Sequence, residues 1–158
     1  MRILGIDPGT GILGFGVIET SGREPQLVDA GVIRTPAHQP LPERLHTIYN
    51  ELALLADQHQ PQVMAVEKLF FARNVTTAMS VSHARGVVLL IGQQRGLPIF
   101  EYTPLQIKQA VTGYGKADKK QIQEMVRVML RLTDVPKPDD CADALATALT
   151  HLANAKLV

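Results

Sequence analysis

Four acidic residues stand in this sequence where a strand is predicted to end or a helix to begin. Asp7 and Glu67 each close a short apolar segment, and Asp140 and Asp143 open the last helical pattern. Open α/β sheets bind ligands outside the carboxyl ends of their strands, so neighbouring strands would bring Asp7 and Glu67 into one crevice. Asp140 and Asp143 are three residues apart and share one face of their helix, which can dock with that face toward the strand ends.

Metal-assisted hydrolysis is the chemistry that such a cluster supports. Four carboxylates in one crevice repel each other unless cations or protons neutralise them. Oxygen ligands without His or Cys suit Mg²⁺ or Mn²⁺. Two such ions about 4 Å apart can act on the attacking and leaving oxygens of a phosphodiester. The four acids together therefore favour a two-metal site for phosphodiester cleavage.

Each acid taken singly also has a structural explanation. Asp7 precedes a Pro-Gly pair, which is a common turn sequence. Asp139 or Asp140, after a proline, is a favourable cap for the positive end of a helix. Glu67 is the hardest to explain in this way, because an acid at the end of a buried strand has few structural uses. The combination of strand-end acids with a helical Asp-x-x-Asp favours the functional interpretation.

Composition and charge narrow the class of protein. The 158 residues, 46% of them apolar, fit one domain spanning 1–158 with a sizeable core. Because no uninterrupted apolar run reaches the about 18 residues of a spanning helix, we expect no membrane partner. The single cysteine, Cys141, excludes an internal disulfide and a cysteine zinc site, and a reducing cytoplasm is the simplest location.

Basic residues are concentrated in one part of the chain. The net charge of +1 argues against broad, non-specific binding to nucleic acid. The segment from Lys108 to Arg131, however, contains six basic residues and two acidic ones. This asymmetry leaves room for a local nucleic-acid contact.

Apolar periodicity predicts the elements that must position these residues. They are strands at 2–7, 15–19 and 26–34, a helix at 41–59, a strand at 63–67, a helix at 76–95, a strand at 97–101, and helices at 104–111, 118–132 and from 139 or 140 to about 153. The first three strands form an antiparallel meander, whose first hairpin contains Gly9, Gly11, Gly14 and Gly16. The fourth strand follows a helical crossover and is expected to be parallel to a neighbour. The order indicates an α/β fold with one mixed sheet and helices on its faces.

The helix at 76–95 has apolar residues on several sides, so it must be covered on several sides. One side can pack on the sheet and the other can meet a second copy of the chain. A helix that is simply central in one subunit explains the pattern equally well. Gly86 in its middle would cost roughly 1 kcal/mol relative to Ala, and its lack of a side chain would permit a close approach by another element.

Four widely separated motifs carry a resemblance to a known family. They are Gly5-Ile6-Asp7-Pro8-Gly9-Thr10-Gly11, Val66-Glu67, the segment 112–119 (Thr-Gly-Tyr-Gly-Lys-Ala-Asp-Lys) and the segment 140–146 (Asp-Cys-Ala-Asp-Ala-Leu-Ala). In this order, and over nearly the whole chain, they resemble the RuvC family of Holliday junction resolvases. Cys141 departs from the family pattern, which usually has a small residue such as Ala there.

The resemblance implies a ribonuclease H-like fold: a five-stranded mixed sheet of three antiparallel strands plus two parallel ones, with helices on both faces. It implies a homodimeric endonuclease, with two Mg²⁺ or Mn²⁺ ions per active site, that nicks two opposing strands of a four-way DNA junction in recombination and repair. Asp7, Glu67, Asp140 and Asp143 are then the catalytic and metal-binding residues. A branch-migration motor is the implied partner, and the bacterial cytoplasm is the implied location.

Two adjacent aromatic residues, Phe70 and Phe71, follow the Glu67 strand. An aromatic ring beside a nucleic-acid site can stack on bases or wedge between them, whereas closing the core under the loop explains Phe71 equally well. The resemblance assigns the junction contact to Phe70. Arg73 nearby is either a phosphate contact or a solvated surface residue.

Lysines of the basic segment are the other candidate DNA contacts. Lys108 and Lys119 match family lysines near the active site, and an ammonium group can hold phosphate and stabilise charge on a scissile group. Lys116 is a weaker candidate, since most lysines on a surface are only solvated. His151, two turns after Asp143, is expected at the surface or behind the site.

Three other functions remain open from the sequence. A strand followed by Asp-x-Gly-Thr-Gly also cradles phosphate in actin-like ATPases and sugar kinases, but those folds need two such lobes and this chain has one. A ribonuclease H-like nuclease acting on RNA or other branched DNA, or a transposase-like core, would use the same kind of acids. A non-catalytic junction-binding module would not need all four.

Overall fold

The computed structural model describes residues 1–22, 24–68 and 75–155. Its elements are, in chain order, β1 (Arg2–Asp7), β2 (Ile12–Thr20), β3 (Pro25–Arg34), α1 (Leu41–His59), β4 (Val63–Glu67), α2 (Val75–Gln94), β5 (Ile99–Tyr102), α3 (Pro104–Thr112), α4 (Lys119–Met129) and α5 (Asp139–Ala155). Each predicted element is present, and the differences lie at element ends.

The five described strands form one mixed sheet in the order β3-β2-β1-β4-β5. β1 pairs antiparallel with β2, and β2 pairs antiparallel with β3, as expected for the meander. After the α1 crossover, β4 joins β1 in parallel, and β5 joins β4 in parallel. The predicted α/β fold, with three antiparallel strands plus two parallel ones, is confirmed.

Helices cover both faces of this sheet. Ile3 and Ala65 belong to a core layer that also contains Leu145 of α5 and residues of α3 and α4. Leu4 and Met64, their neighbours along the strands, belong to a second layer with α1 and α2. Because side chains alternate along a strand, the sheet divides the core into two halves.

Gly14 lies within β2 and not in the hairpin turn, contrary to the prediction, whereas Gly16 lies in the strand, as the predicted range 15–19 has it. A Cβ on Gly14 would lie 2.0 Å from the backbone oxygen of Asp140, and one on Gly16 would lie 2.6 Å from a methyl of Leu145. The reason is packing: α5 lies so close to the strands that a side chain does not fit. These glycines therefore bring the start of α5 to the edge of the sheet.

Two element ends also differ from the prediction. β5 begins at Ile99 and not at 97, because the N–H of Leu97 donates to the carbonyl of Gly92 and closes α2. Helix α4 ends at Met129 and not at 132. The chain adopts a left-handed φ of 54° at Arg131, a conformation that ends an α-helix.

Helix α2 is, among the described helices, the one long and apolar enough by length and composition to cross a membrane. The core helix of a soluble protein can meet the same criterion. The helix contains Arg85, which pairs with Glu101 of β5, and its Val88 and Ile91 are buried against the sheet. One face of α2 is thus attached to the sheet.

Candidate active site

The ends of β1 and β4 bring Asp7 and Glu67 together. The parallel register pairs Ile6 with Val66, so the next residue of each strand stands at the same edge of the sheet. Ile6 and Val66 face the α1 and α2 layer. Since side chains alternate along a strand, Asp7 and Glu67 point to the opposite face, where α5 lies.

Helix α5 supplies the other two acids. Leu145 and Leu149 are fully buried and anchor the helix in the core. Its first turn, with Asp140, lies directly against β2, and Asp143 borders the same cleft as Glu67. The helix therefore docks with its acidic face toward the strand ends, as the spacing predicts.

Burial and mutual repulsion raise the pKa values of two acids of this cluster, Asp7 and Glu67. Burial raises the pKa of Asp7 to about 8, and the negative charges of Glu67, Asp143 and Asp140 add to the effect. Burial and the charge of Asp143 raise the pKa of Glu67 to about 7, although a hydrogen bond with Asp7 acts in the opposite direction. The Asp7 and Glu67 carboxyl groups therefore share a proton near neutral pH.

Lys119 is held at the cluster by two ion pairs. Its Nζ lies 3.2 Å from a carboxylate oxygen of Asp143 and 3.5 Å from one of Asp139. Asp118 and Gln121 cap α4 reciprocally, which makes Lys119 the first helical residue. Burial acts to lower the pKa of Lys119, but Asp143 and Asp139 outweigh it and the pKa is raised. Burial also raises the pKa of Asp143, against the influence of Lys119.

A cleft of ≈ 270 Å³ opens beside the cluster. Glu67 and Asp143 line it together with Lys108 of α3 and Lys119 of α4, and apolar residues such as Ile107 complete its wall. Acids and lysines thus face one cavity. This combination suits a phosphodiester, which needs positive groups for its oxygens next to acids that can bind metal.

Carboxylate oxygens are the donors that the cluster offers to a metal ion. Within the described residues, no three His, Cys, Asp or Glu side chains already enclose a position for an ion. The acids form an open cluster, in which a shared proton and the Lys119 ammonium offset part of the negative charge. An all-oxygen donor set with excess negative charge fits a hard divalent cation such as Mg²⁺.

Comparison with known proteins identifies the family. A family model described as "Crossover junction endodeoxyribonuclease RuvC" matches residues 3–151. The chain belongs to the RuvC family.

Relatives and solved structures agree with this assignment. A RuvC protein of Desulfitobacterium hafniense is 58% identical over 158 residues, which is 100% of this chain and 96% of the relative. The Thermus thermophilus RuvC structure has a TM-score of 0.93 at 38% identity, covering 99% of this chain and 96% of that one. T. thermophilus RuvC in complex with a Holliday junction substrate has a TM-score of 0.95 at 38% identity, with the same coverage. The predicted ribonuclease H-like fold is confirmed.

The RuvC resemblance also predicts residues that contact DNA. Lys108 and Lys119 lie at the cleft, next to the acids. Lys116 is exposed in the loop before α4 and is not among the residues that line this cleft, so its role stays a prediction. The other predicted DNA contacts, Phe70, Phe71 and Arg73, lie outside the residues that the structure describes.

Two contacts near the RuvC site were not predicted. Asp139, interpreted only as a possible cap, binds Lys119 together with Asp143, and their spacing of four residues on one helix could have indicated it. Of the two places expected for His151, the surface is wrong: the residue is buried, and its Nδ1 lies 2.8 Å from the hydroxyl of Tyr102. Burial lowers the pKa of His151. Nothing local marks this pairing, because Tyr102 lies on another element.

Proposed function

We propose that this chain is a structure-selective endodeoxyribonuclease that resolves four-way DNA junctions by paired symmetric nicks, in homologous recombination and DNA repair. The observation that carries the proposal is the half-buried cluster of Asp7, Glu67 and Asp143 beside Lys119, in a chain of the RuvC family. In the same family, T. thermophilus RuvC has been solved in complex with a Holliday junction substrate.

Asp7, Glu67, Asp140 and Asp143 would hold two Mg²⁺ or Mn²⁺ ions per active site. Such ions, when bound, supply an activated water and stabilise the leaving oxyanion of a phosphodiester. The raised pKa of Asp7 and that of Glu67 support this role, since they reflect negative charge that burial leaves uncompensated. Burial also strengthens the attraction between these acids and a cation, because the local dielectric is low.

The side chains around the acids bind and orient the DNA. Lys119, held by Asp143 and Asp139, is placed to stabilise negative charge on the scissile phosphate. Lys108 borders the same cleft and would bind a phosphate oxygen there. The further DNA contacts carried over from the sequence are Phe70, Phe71, Arg73 and Lys116.

We also propose a homodimer, since two symmetric nicks need two active sites. One stripe of α2 is apolar and exposed in the single subunit: Val75, Met79 and Leu90 are 70%, 59% and 51% exposed. Gly86 lies on the same side, and a Cβ there would meet no atom within 4 Å. Positions 75, 79, 86 and 90 follow the helical repeat, so a second copy of the chain can cover them together.

Leu90→Glu should convert the dimer into monomers, because it places a charge within an apolar interface. Light scattering at micromolar concentration measures the mass. Val128→Glu is the matched control, since Val128 is an exposed apolar residue on α4, at the other face of the sheet. A monomeric wild type, or a Leu90→Glu protein that stays dimeric, would contradict the proposed interface.

The remaining assignments follow the RuvC family. They are a single nuclease domain over residues 1–158, a bacterial cytoplasmic location and a branch-migration motor as partner. The two core layers support the single domain, because each contains residues of β1 packed with residues of helices much later in the chain.

The function is tested with Mg²⁺ and three substrates of matched sequence: a synthetic four-way junction, a linear duplex and an RNA–DNA hybrid. We expect nicks in the junction alone, at symmetric positions in two opposing strands. Asp7→Asn should bind the junction as the wild type does and leave it uncut. Cleavage of the hybrid would favour an RNA-directed nuclease instead. Junction binding without cleavage would favour a non-catalytic binding module. ATP hydrolysis by the pure protein would favour a kinase-like function.

A further inference from the structure

Buried hydrogen bonds outside the acidic cluster hold the turn that follows Asp7. Thr10 and Thr35 are polar residues but only 3% and 6% exposed. Thr10 Oγ1 donates to the carbonyl of Ser80 in α2, and Thr35 Oγ1 donates to the carbonyl of Thr10. Arg44 of α1 donates from Nε to Thr35 Oγ1 at 2.9 Å. Thr10 is thus the point at which the turn is joined to both helices behind the sheet.

The turn between Asp7 and β2 is tight. A Cβ on Gly9 would lie 2.1 Å from the carbonyl oxygen of Ile12. The N–H of Thr35 donates to the carbonyl of Gly11 at 3.0 Å and ties the far end of the turn to the end of β3. A turn so closely packed transmits a shift at its centre to the residues on either side.

Asp7 needs support from this turn. The ladder between β1 and β4 ends with Ile6 and Val66, so Asp7 lies beyond it on that side. On its other side Asp7 pairs with Gly14 of β2. The chain beyond Asp7 is the turn that Thr10 joins to α2, so this turn and the β2 pairing set the position of the end of β1.

We propose that Thr10 is a positioning residue for metal binding at Asp7. Its hydroxyl ties the turn to α2 and keeps the Asp7 carboxylate at the sheet edge. The inference rests on the proposed function in taking Asp7 as a metal ligand. A Thr10 that only stabilised the fold would change the unfolding temperature and leave the Mg²⁺ concentration needed for binding unchanged.

The test compares Thr10→Val, which keeps the shape and removes the hydroxyl, with Thr10→Ser, which keeps the hydroxyl. Thr150→Val is the matched control, because Thr150 is also buried and also donates to a backbone carbonyl, but within its own helix. Three quantities are measured for each protein: the Mg²⁺ concentration that gives half of the metal-induced rise in unfolding temperature, the Mg²⁺ dependence of junction cleavage, and junction affinity in EDTA.

For Thr10→Val we expect the half-saturating Mg²⁺ concentration to rise about tenfold in both metal titrations, the low end of the effect of residues that orient metal ligands. Junction affinity in EDTA should stay within about twofold of the wild type. Thr10→Ser should behave as the wild type, and Thr150→Val should lower the unfolding temperature with wild-type Mg²⁺ dependence.

Unchanged Mg²⁺ dependence in Thr10→Val, or equal impairment of Thr10→Ser and Thr10→Val, would overturn the positioning role. These outcomes are separate from a failure of the proposed function. That failure would appear in the wild type itself, as four-way junctions left intact at saturating Mg²⁺.

Discussion

Replacing Asp7 by Asn should stabilise the metal-free protein, and only above acidic pH. In the folded chain the pKa of Asp7 is about 8 instead of 3.8, through burial and the nearby carboxylates. At neutral and alkaline pH, folding must therefore either keep a proton on Asp7 or bury an ionised carboxylate among other acids. Asn has nearly the same shape, is uncharged at every pH, and can still donate a hydrogen bond toward Glu67 through Nδ2.

The size of the effect follows from the difference in pKa. At about 1.4 kcal/mol per pKa unit, a rise from 3.8 to about 8 corresponds to roughly 6 kcal/mol for a fully ionised Asp7. Because Asp7 and Glu67 titrate as a pair, and Glu67 and Asp143 continue to repel each other, the substitution recovers only part of this amount. We expect a gain of about 2 kcal/mol in the free energy of unfolding at pH 9.

The pH dependence has a definite sign. Below about pH 4 Asp7 is protonated in both the folded and the unfolded chain, so the substitution gains nothing. Between pH 4 and 8 the folded chain holds a proton that the unfolded chain has released, so wild-type stability falls as the pH rises. The advantage of Asp7→Asn therefore grows through this range and is complete above about pH 8.

Urea unfolding in EDTA, at several values between pH 4 and 9, measures this advantage directly. Asp57→Asn is the matched control: Asp57 is exposed, and its hydrogen bonds with Arg95 lower its pKa, so its loss should give no gain at high pH. Adding Mg²⁺ at pH 8 should stabilise the wild type more than Asp7→Asn. A gain that is the same at pH 4.5 and 9, or an Asp7→Asn protein less stable than the wild type at pH 9, would refute the electrostatic reasoning.

Two further substitutions test how the site is built. Gly14→Ala should destabilise the protein by about 3 kcal/mol and abolish cleavage, because its Cβ would lie 2.0 Å from the Asp140 carbonyl oxygen. The control is Gly22→Ala, which should leave unfolding and cleavage unchanged because no atom lies within 4 Å of the added Cβ. Equal stability of the two variants in urea would contradict the close packing of α5. Lys119→Met should raise the pKa of Asp143 further, because it removes the neighbouring cation, and should lower the cleavage rate at least about tenfold. Single-turnover assays at saturating Mg²⁺ measure this rate. An unchanged rate would show that Lys119 takes no part in the chemistry.

Much of the architecture could be predicted because periodicity and chain breaks are local signals. The apolar steps from Leu41 to His59 are confirmed as α1 at the same bounds, and the buried segment ending in Glu67 is confirmed as β4. Mispredicted features depend on distant neighbours. Gly14 is read as a turn residue when only its own segment is considered, and its role in the strand becomes clear only when α5 is placed against it.

The same division applies to the buried polar contacts. His151 pairs with Tyr102, 49 residues away in the chain, and Thr10 with Ser80, 70 residues away. No spacing rule relates such positions, because the contact is made by the packing of separate elements. Asp139 is the exception, since its spacing from Asp143 on one helix was visible in the sequence.

The sequence by itself determined which acids end strands and which open the last helix, because strand ends and helix faces follow from residue order alone. Only the tertiary structure decided their ionisation and partners. The pKa of Asp7 depends on how deeply β1 is buried and on charges that β4 and α5 bring to it. Such effects depend on distance and desolvation, which no single segment of the chain contains.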